Sequence, residues 1–194
     1  MLSEFGMWSR PTLVVVVLLL VTVFAADAST LTAGIYAAGR AHPIDGVQCS
    51  PHEYSAYHEH QYVALYKNGR HINLPSYVGF VRSCFFWLHV HDPSVAGGSN
   101  ILHNEQPIRR RFTLGAFLDV WRYWGRQTGG DTSFLSTLTR THPLHIFCNG
   151  KPWKRSYRSI PLARHAVIYL EVGLPVVSPK PHDFSGLHGY ESPH

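Results

Sequence analysis

Apolar and polar positions along the chain change period several times, and each change marks an element. Residues 61–75, QYVALYKNGRHINLP, alternate over two β-rich runs around Asn68-Gly69, the pair a tight type I′ turn favours because both central residues need φ > 0. This predicts an antiparallel hairpin, with residues 58–60 leading into its first strand. Residues 84–91, CFFWLHVH, are aromatic and branched enough for one buried strand, and ILHNE at 101–105 reads as a short strand returning from the loop PSVAGGSN. Between 114 and 124 the period becomes helical: Leu114, Phe117, Leu118 and Trp121 share a face, Thr113 is placed to cap the start and Gly125 to end it. Residues 126–141 are polar, with a short helical turn expected around 134–138. A second Asn-Gly hairpin follows at Asn149-Gly150, and a last strand spans 166–172, ended by Gly173.

Strands, one main amphipathic helix and strands again predict an α+β fold with a mainly antiparallel sheet and two Asn-Gly hairpins. The order matches a β-grasp arrangement by analogy. The His-rich α+β domain is expected over residues 46–175, after an Ala/Gly-rich linker at 29–45. From 176 to 194 the chain is rich in Pro, Gly, Ser and His with nothing evident to bury, so a disordered tail is expected.

The first 28 residues stand apart. LVVVVLLLVTVFAA at 13–26 is an unbroken apolar run with one Thr; Arg10 precedes it, and Ala26 and Ala28 flank Asp27 before Ser29. This is the layout of a signal peptide for export. An uncleaved N-terminal anchor is the competing reading and the only membrane attachment expected, but at about 14 residues the run is shorter than the roughly 20 needed to cross a bilayer, which favours cleavage. Export to the periplasm, cell envelope or medium changes how the cysteines are read. Of Cys49, Cys84 and Cys148, the first two flank the first histidine cluster, and a disulfide between them is expected in an oxidising compartment. Cys148 is then a buried free thiol.

The chain has 194 residues, 45% apolar and 15% charged, which excludes general disorder. Its net charge of +5 is spread out, with clusters at Arg109-Arg110-Arg111 and at 151–158 that read as a solvated basic face, not a nucleic-acid site. The unusual figure is fourteen histidines against twelve acidic residues. In an extended strand residues two apart point the same way, so His58/His60 and His89/His91 each present two imidazoles side by side. His103 and Glu105 likewise share a face. Were the three strands neighbours, five imidazoles and a carboxylate would converge, with Phe85 and Trp87 as an aromatic wall and Leu88 and Val90 turned to the core. His58, His60, His89, His91 and His103 are therefore the candidate metal ligands, Asp92 and Glu105 the carboxylates that orient an imidazole through its second N–H. Imidazole donors suit copper or zinc. His42, His52, His71, His142, His145 and His165 are scattered, and His182, His188 and His194 lie in the tail.

The run FWLHVHD, a Gly-containing loop, ILHNEQP and RRFTLGAFLDVW resembles a family of uncharacterised exported bacterial and archaeal proteins, whose pattern reads Trp-Leu-His-Thr-His-Asp, then Ile-His-x-Glu-x-Pro, then Phe-Thr-Leu-Gly and an aromatic helix. The resemblance covers about residues 46–174. It implies a shared site and disulfide at Cys49, His58, His60, Cys84, Trp87, His89, His91, Asp92, His103 and Glu105, and names no chemistry. Val90 stands where Thr is usual, and the loop before His103 is longer. Three functions stay open on these residues: a copper- or zinc-binding protein of the cell envelope, a metal-dependent hydrolytic or redox enzyme with Glu105 as general base, or a pH-sensitive interaction module without metal. No H-E-x-x-H, P-loop, nucleophile elbow or Rossmann glycine pattern favours a reaction class.

Overall fold

The computed structural model describes residues 42–82, 84–94, 98–140 and 143–190, side chains of 188–190 excepted. The expected signal peptide and nearly all of the expected linker lie outside the described residues. What is described is α+β, with two sheets of mostly antiparallel strands and two helices. No helix among the described residues is long and apolar enough to cross a membrane.

The long strand β2 (Tyr57–Lys67) organises the larger sheet. Its first half pairs antiparallel with β7 (Ile101–Gln106), and its second half pairs with β3 (Arg70–Ile72) across Asn68-Gly69, both at positive φ. The other edge of β2, from Tyr62 on, pairs in parallel with β10 (Val167–Val172), a pairing local periodicity gives no hint of. Beyond β10 lie β8 (Leu144–Cys148) and β9 (Lys151–Pro152), turned at Asn149-Gly150; beyond β7 lies β6 (Leu88–His89). A small sheet combines β1 (Cys49–Ser50), β5 (Cys84–Phe86) and β4 (Phe80–Val81).

Alternation on β2 divides the interior. Val63 and Leu65 face the main core, where α1 (Leu114–Thr128) presents Leu114, Phe117, Leu118 and Trp121, and α2 (Ser133–Arg140) adds Phe134, Leu135 and Leu138. The helices exceed expectation. α1 runs through Gly125 to a left-handed Gly129, because a Cβ at Gly125 would collide with Thr132; glycine there serves close approach, not termination. Thr113 stands at the start of α1 but its side chain makes no cap bond; the Leu114 N–H donates instead to the Ile160 carbonyl at 2.8 Å.

Tyr62, Ala64 and Tyr66, on the other face of β2, meet Ile101, Val167 and Tyr169. Phe184 and Leu187 close over this second cluster, and His182 stacks on Tyr62 with ring centroids 4.1 Å apart. The expectation that residues past 175 bury nothing therefore fails on two apolar side chains whose partners lie on β2, β7 and β10.

Candidate metal centre

The site grows from the strand order β6-β7-β2. Because β7 lies between the other two, register sets His58 opposite Glu105, and His103 opposite both His60 and His89. All five histidines of the sequence pattern meet here. Ring centroids lie 4.6 Å apart for His58–His60, 4.6 Å for His60–His103, 5.4 Å for His89–His103 and 4.5 Å for His91–His103. His60, His89, His103 and Glu105 are buried, while the side chains of His58 and His91 keep 14% and 15% of their surface, so the cluster opens on those two rings.

His89 is the most constrained ring. A backbone carbonyl only accepts, so the 2.8 Å contact between Nδ1 and the Phe86 carbonyl oxygen requires a proton on Nδ1. The Nε2 of neutral His89 then carries a lone pair and meets the His91 Nε2 at 3.0 Å. This is the arrangement by which an imidazole is oriented toward a metal: one nitrogen anchored outward, the other turned inward. The expected orienting group was a carboxylate, yet a backbone carbonyl supplies the bond.

Glu105 sits in the middle. Its Oε1 lies 2.9 Å from His58 Nε2, 3.4 Å from His103 Nδ1 and 3.5 Å from His89 Nε2. Burial alone would raise its carboxyl pKa, but hydrogen bonds from His103 and His58, together with the close approach of the His89 ring, outweigh it and hold the group well below the usual carboxylate range. Burial acts on the imidazoles in the opposite sense. It pushes His91 down to about 4, with the neighbouring His89 adding to the shift, and it pushes His103 well below its ordinary value against the opposing pull of Glu105. These two rings are thus neutral at pH 7, the form that binds metal ions. His103 Nε2 is buried without a hydrogen-bond partner among the described residues.

Two groups have ligand atoms all within 4.8 Å of one another: His89, His91, His103 and Glu105, and His58, His60 and His103. An interior polar cluster that is only partly satisfied costs stability unless something else completes it, and a cation would do so here.

Three details depart from the sequence reading. Residues 84–91 are not one strand: the chain bends at Trp87, β5 and β6 join different sheets, and alternation lapses there. Trp87 therefore turns into the main core and bonds Ser50 Oγ through Nε1, leaving Phe85 against Phe80. The wall beside the imidazoles is Phe80, 5.1 Å from His89 and 5.2 Å from His91, edge to face with both. Leu88 and Val90 do face the core. Asp92 accepts from the Ser94 N–H at 3.0 Å and the Ser94 hydroxyl at 2.6 Å, both local turn contacts. The carboxylate that does approach the rings from outside the strands is Glu53, absent from the expected set, with Oε1 3.2 Å from His91 Nε2 and 3.7 Å from His89 Nε2. Burial first, and then the nearby Glu105 charge, raise its pKa. Nothing in the local pattern HEYS marks it, because loop packing brings it in.

A disulfide joins Cys49 to Cys84, with Cα atoms 5.6 Å apart, tying the segment before Glu53 to the one that leads into β6. Cys148 is a half-buried free thiol whose pKa burial raises. Of the remaining histidines, His71 bonds the Asn100 side chain at 2.8 Å and His165 stacks on Phe184; His142 and His194 lie outside the described residues. Comparison with family models, with curated proteins and with solved structures finds no match to this chain, so the chemistry of the site rests on its own donor set.

Proposed function

We propose that this is an exported metal-binding protein of the cell envelope that holds copper or zinc in its multi-histidine site. One observation carries the reading: three imidazoles and a carboxylate, His89, His91, His103 and Glu105, offer ligand atoms within 4.8 Å of one another in a largely buried cluster that reaches the surface at the His58 and His91 rings. Three nitrogens and one oxygen form a donor set that both zinc and copper accept. The anchored tautomer of His89 and the neutral state of His91 and His103 spare the ion much of the reorganisation that binding otherwise costs. Export draws support from the disulfide, which an oxidising compartment favours, and from the N-terminal apolar run.

A binding role is preferred to catalysis on the placing of Glu105. A general base works best with a pKa near the operating pH and a free path to a substrate proton. This carboxylate is committed to three rings and held strongly acidic. The test is elemental analysis of untagged full-length protein, with His89→Ala/His91→Ala as the control. The native chain should retain at least one copper or zinc per molecule after loading and dialysis, and a copper form should show a visible absorption band that zinc lacks. A native chain holding no more metal than the double variant defeats the reading.

A further inference from the structure

The donors outnumber what one ion can use. Five imidazoles and Glu105 converge, whereas a zinc or copper shell takes about four protein donors. They are also divided in space. Adjacent strands lie about 4.8 Å apart, so β6 and β2, on either side of β7, are separated by roughly 10 Å. Each flank brings one H-x-H pair. His103 stands at matching distance from both, with centroids 5.4 and 4.6 Å from His58 and His60, and 5.4 and 4.5 Å from His89 and His91.

The residues of β7 are placed to serve both flanks. His103 belongs to both ligand groups. An imidazole has two nitrogens: Nδ1 lies 3.2 Å from His58 Nε2, and Nε2 is buried with no hydrogen-bond partner among the described residues. Glu105 Oε1 reaches an imidazole on each side, His58 at 2.9 Å and His89 at 3.5 Å. A carboxylate between two sets of nitrogen donors is a common support for paired metal ions, which lie about 3.5–4 Å apart in such sites.

Building on the metal-binding reading above, we propose that the cluster is a two-metal centre: one ion at His89 and His91, a second at His58 and His60, with His103 and Glu105 of β7 between them. Glu105 supplies negative charge to both ions, and Glu53 adds its own on the β6 flank.

The proposal is tested by loading the full-length apoprotein with Cu(II), removing loosely held copper by dialysis against glycine, and measuring copper per chain together with the integrated electron paramagnetic resonance intensity. Two coppers per chain are expected, with an intensity well below two spins because close ions couple. His58→Ala/His60→Ala should bind one copper and show a full one-spin signal, as should His89→Ala/His91→Ala, each checked for folding by circular dichroism. One copper with full intensity in the native chain overturns the second site and leaves the first. Two coppers with full two-spin intensity also overturn it, since the ions are then far apart. No retained copper or zinc overturns both readings. The native count and intensity decide the matter even where a variant fails to fold.

Discussion

The two H-x-H pairs look alike in the sequence and are built differently. His58 and His60 lie inside an eleven-residue strand whose pairing with β7 runs unbroken from Tyr57 to Tyr62. Alternation and register alone aim those rings. His89 ends a two-residue strand, and His91 lies past it. That pair is held from outside the ladder, by the Phe86 carbonyl, by the ring of Phe80, and by Gly79 pressed against the β6 backbone. A ligand aimed by a long ladder is insensitive to changes far from it, whereas one aimed by loop packing inherits every strain in those loops. The β6 flank should therefore be the fragile half of the site.

The largest effect is expected from the disulfide. It closes a 35-residue separation that contains β2, β3 and β4 and ends just before β6. In the chain-entropy treatment its loss costs about 3–4 kcal/mol, or a melting temperature lower by about 10 °C in a domain of this size. Cys49→Ser/Cys84→Ser should show that shift. Introduced into each pair variant in turn, it should also weaken copper retention at His89/His91 more than at His58/His60. Equal losses on the two flanks would remove the distinction drawn here.

Gly79 sharpens the contrast. At φ 89° it has a left-handed conformation, and a Cβ there would lie 2.7 Å from the Leu88 carbonyl oxygen and 2.8 Å from His89 Cβ. Gly79→Ala should cost about 2–3 kcal/mol from backbone strain plus overlap and push His89 off its position. Gly46 is the control: it too has positive φ, at 79°, but nothing lies within 4 Å of its Cβ position. Gly46→Ala should therefore cost less and leave copper retention unchanged. Matched copper losses in the two variants would mean that close packing at Gly79 does not position the ring.

A smaller effect, on the order of 1–2 kcal/mol, is expected from pH, and it belongs to the apoprotein. Burial lowers His91 to about 4 and holds His103 well below its ordinary value, whereas unfolded histidines titrate near 6.5. Between those values the unfolded chain binds more protons than the folded one, so stability rises with pH. The apoprotein should lose about 5 °C of melting temperature between pH 7 and pH 5. His91→Ala should remove part of that slope. A melting temperature flat over this interval would contradict neutral buried rings in the folded state.

What could be read in advance follows the same division. Wherever an element is long and regular, its period carried the information: the alternation of β2 placed His58 and His60, and that of β7 placed His103 and Glu105. The convergence needed one further condition, the order β6-β7-β2, which no local window contains. Where the chain bends, periodicity lost its grip. Alternation over 84–91 as one strand sets Trp87 beside His91, but the break between the small sheet and the large one turns it into the core. Phe80 and Glu53 reach the imidazoles from loops and short strands, through contacts that span 9 to 38 residues. Phe184 and Leu187 are illegible for a related reason: two apolar residues in a Pro- and Gly-rich segment show no period, and only the outer face of β2 and its neighbours gives them something to cover.

The smallest effect sets a sequence neighbour against a spatial one. Asp92 adjoins His91 in the chain, and a carboxylate beside a ligand histidine is a natural candidate to orient it. Its Oδ1, however, accepts both the N–H and the hydroxyl of Ser94, and those bonds lower its pKa while leaving it in solvent. Asp92→Ala should change neither copper retention nor the melting temperature resolvably, as for most exposed turn positions. Glu53, 38 residues from His91, has its Oε1 3.2 Å from that ring, with 40% of its side chain exposed. Glu53→Gln should keep the fold and shorten copper residence on the β6 flank by removing a charge near the ion while preserving shape. Both substitutions read out in one assay, the rate of copper release to a chelator. Faster release from Asp92→Ala than from Glu53→Gln would show that chain adjacency, not loop packing, supplies the outer carboxylate of this site.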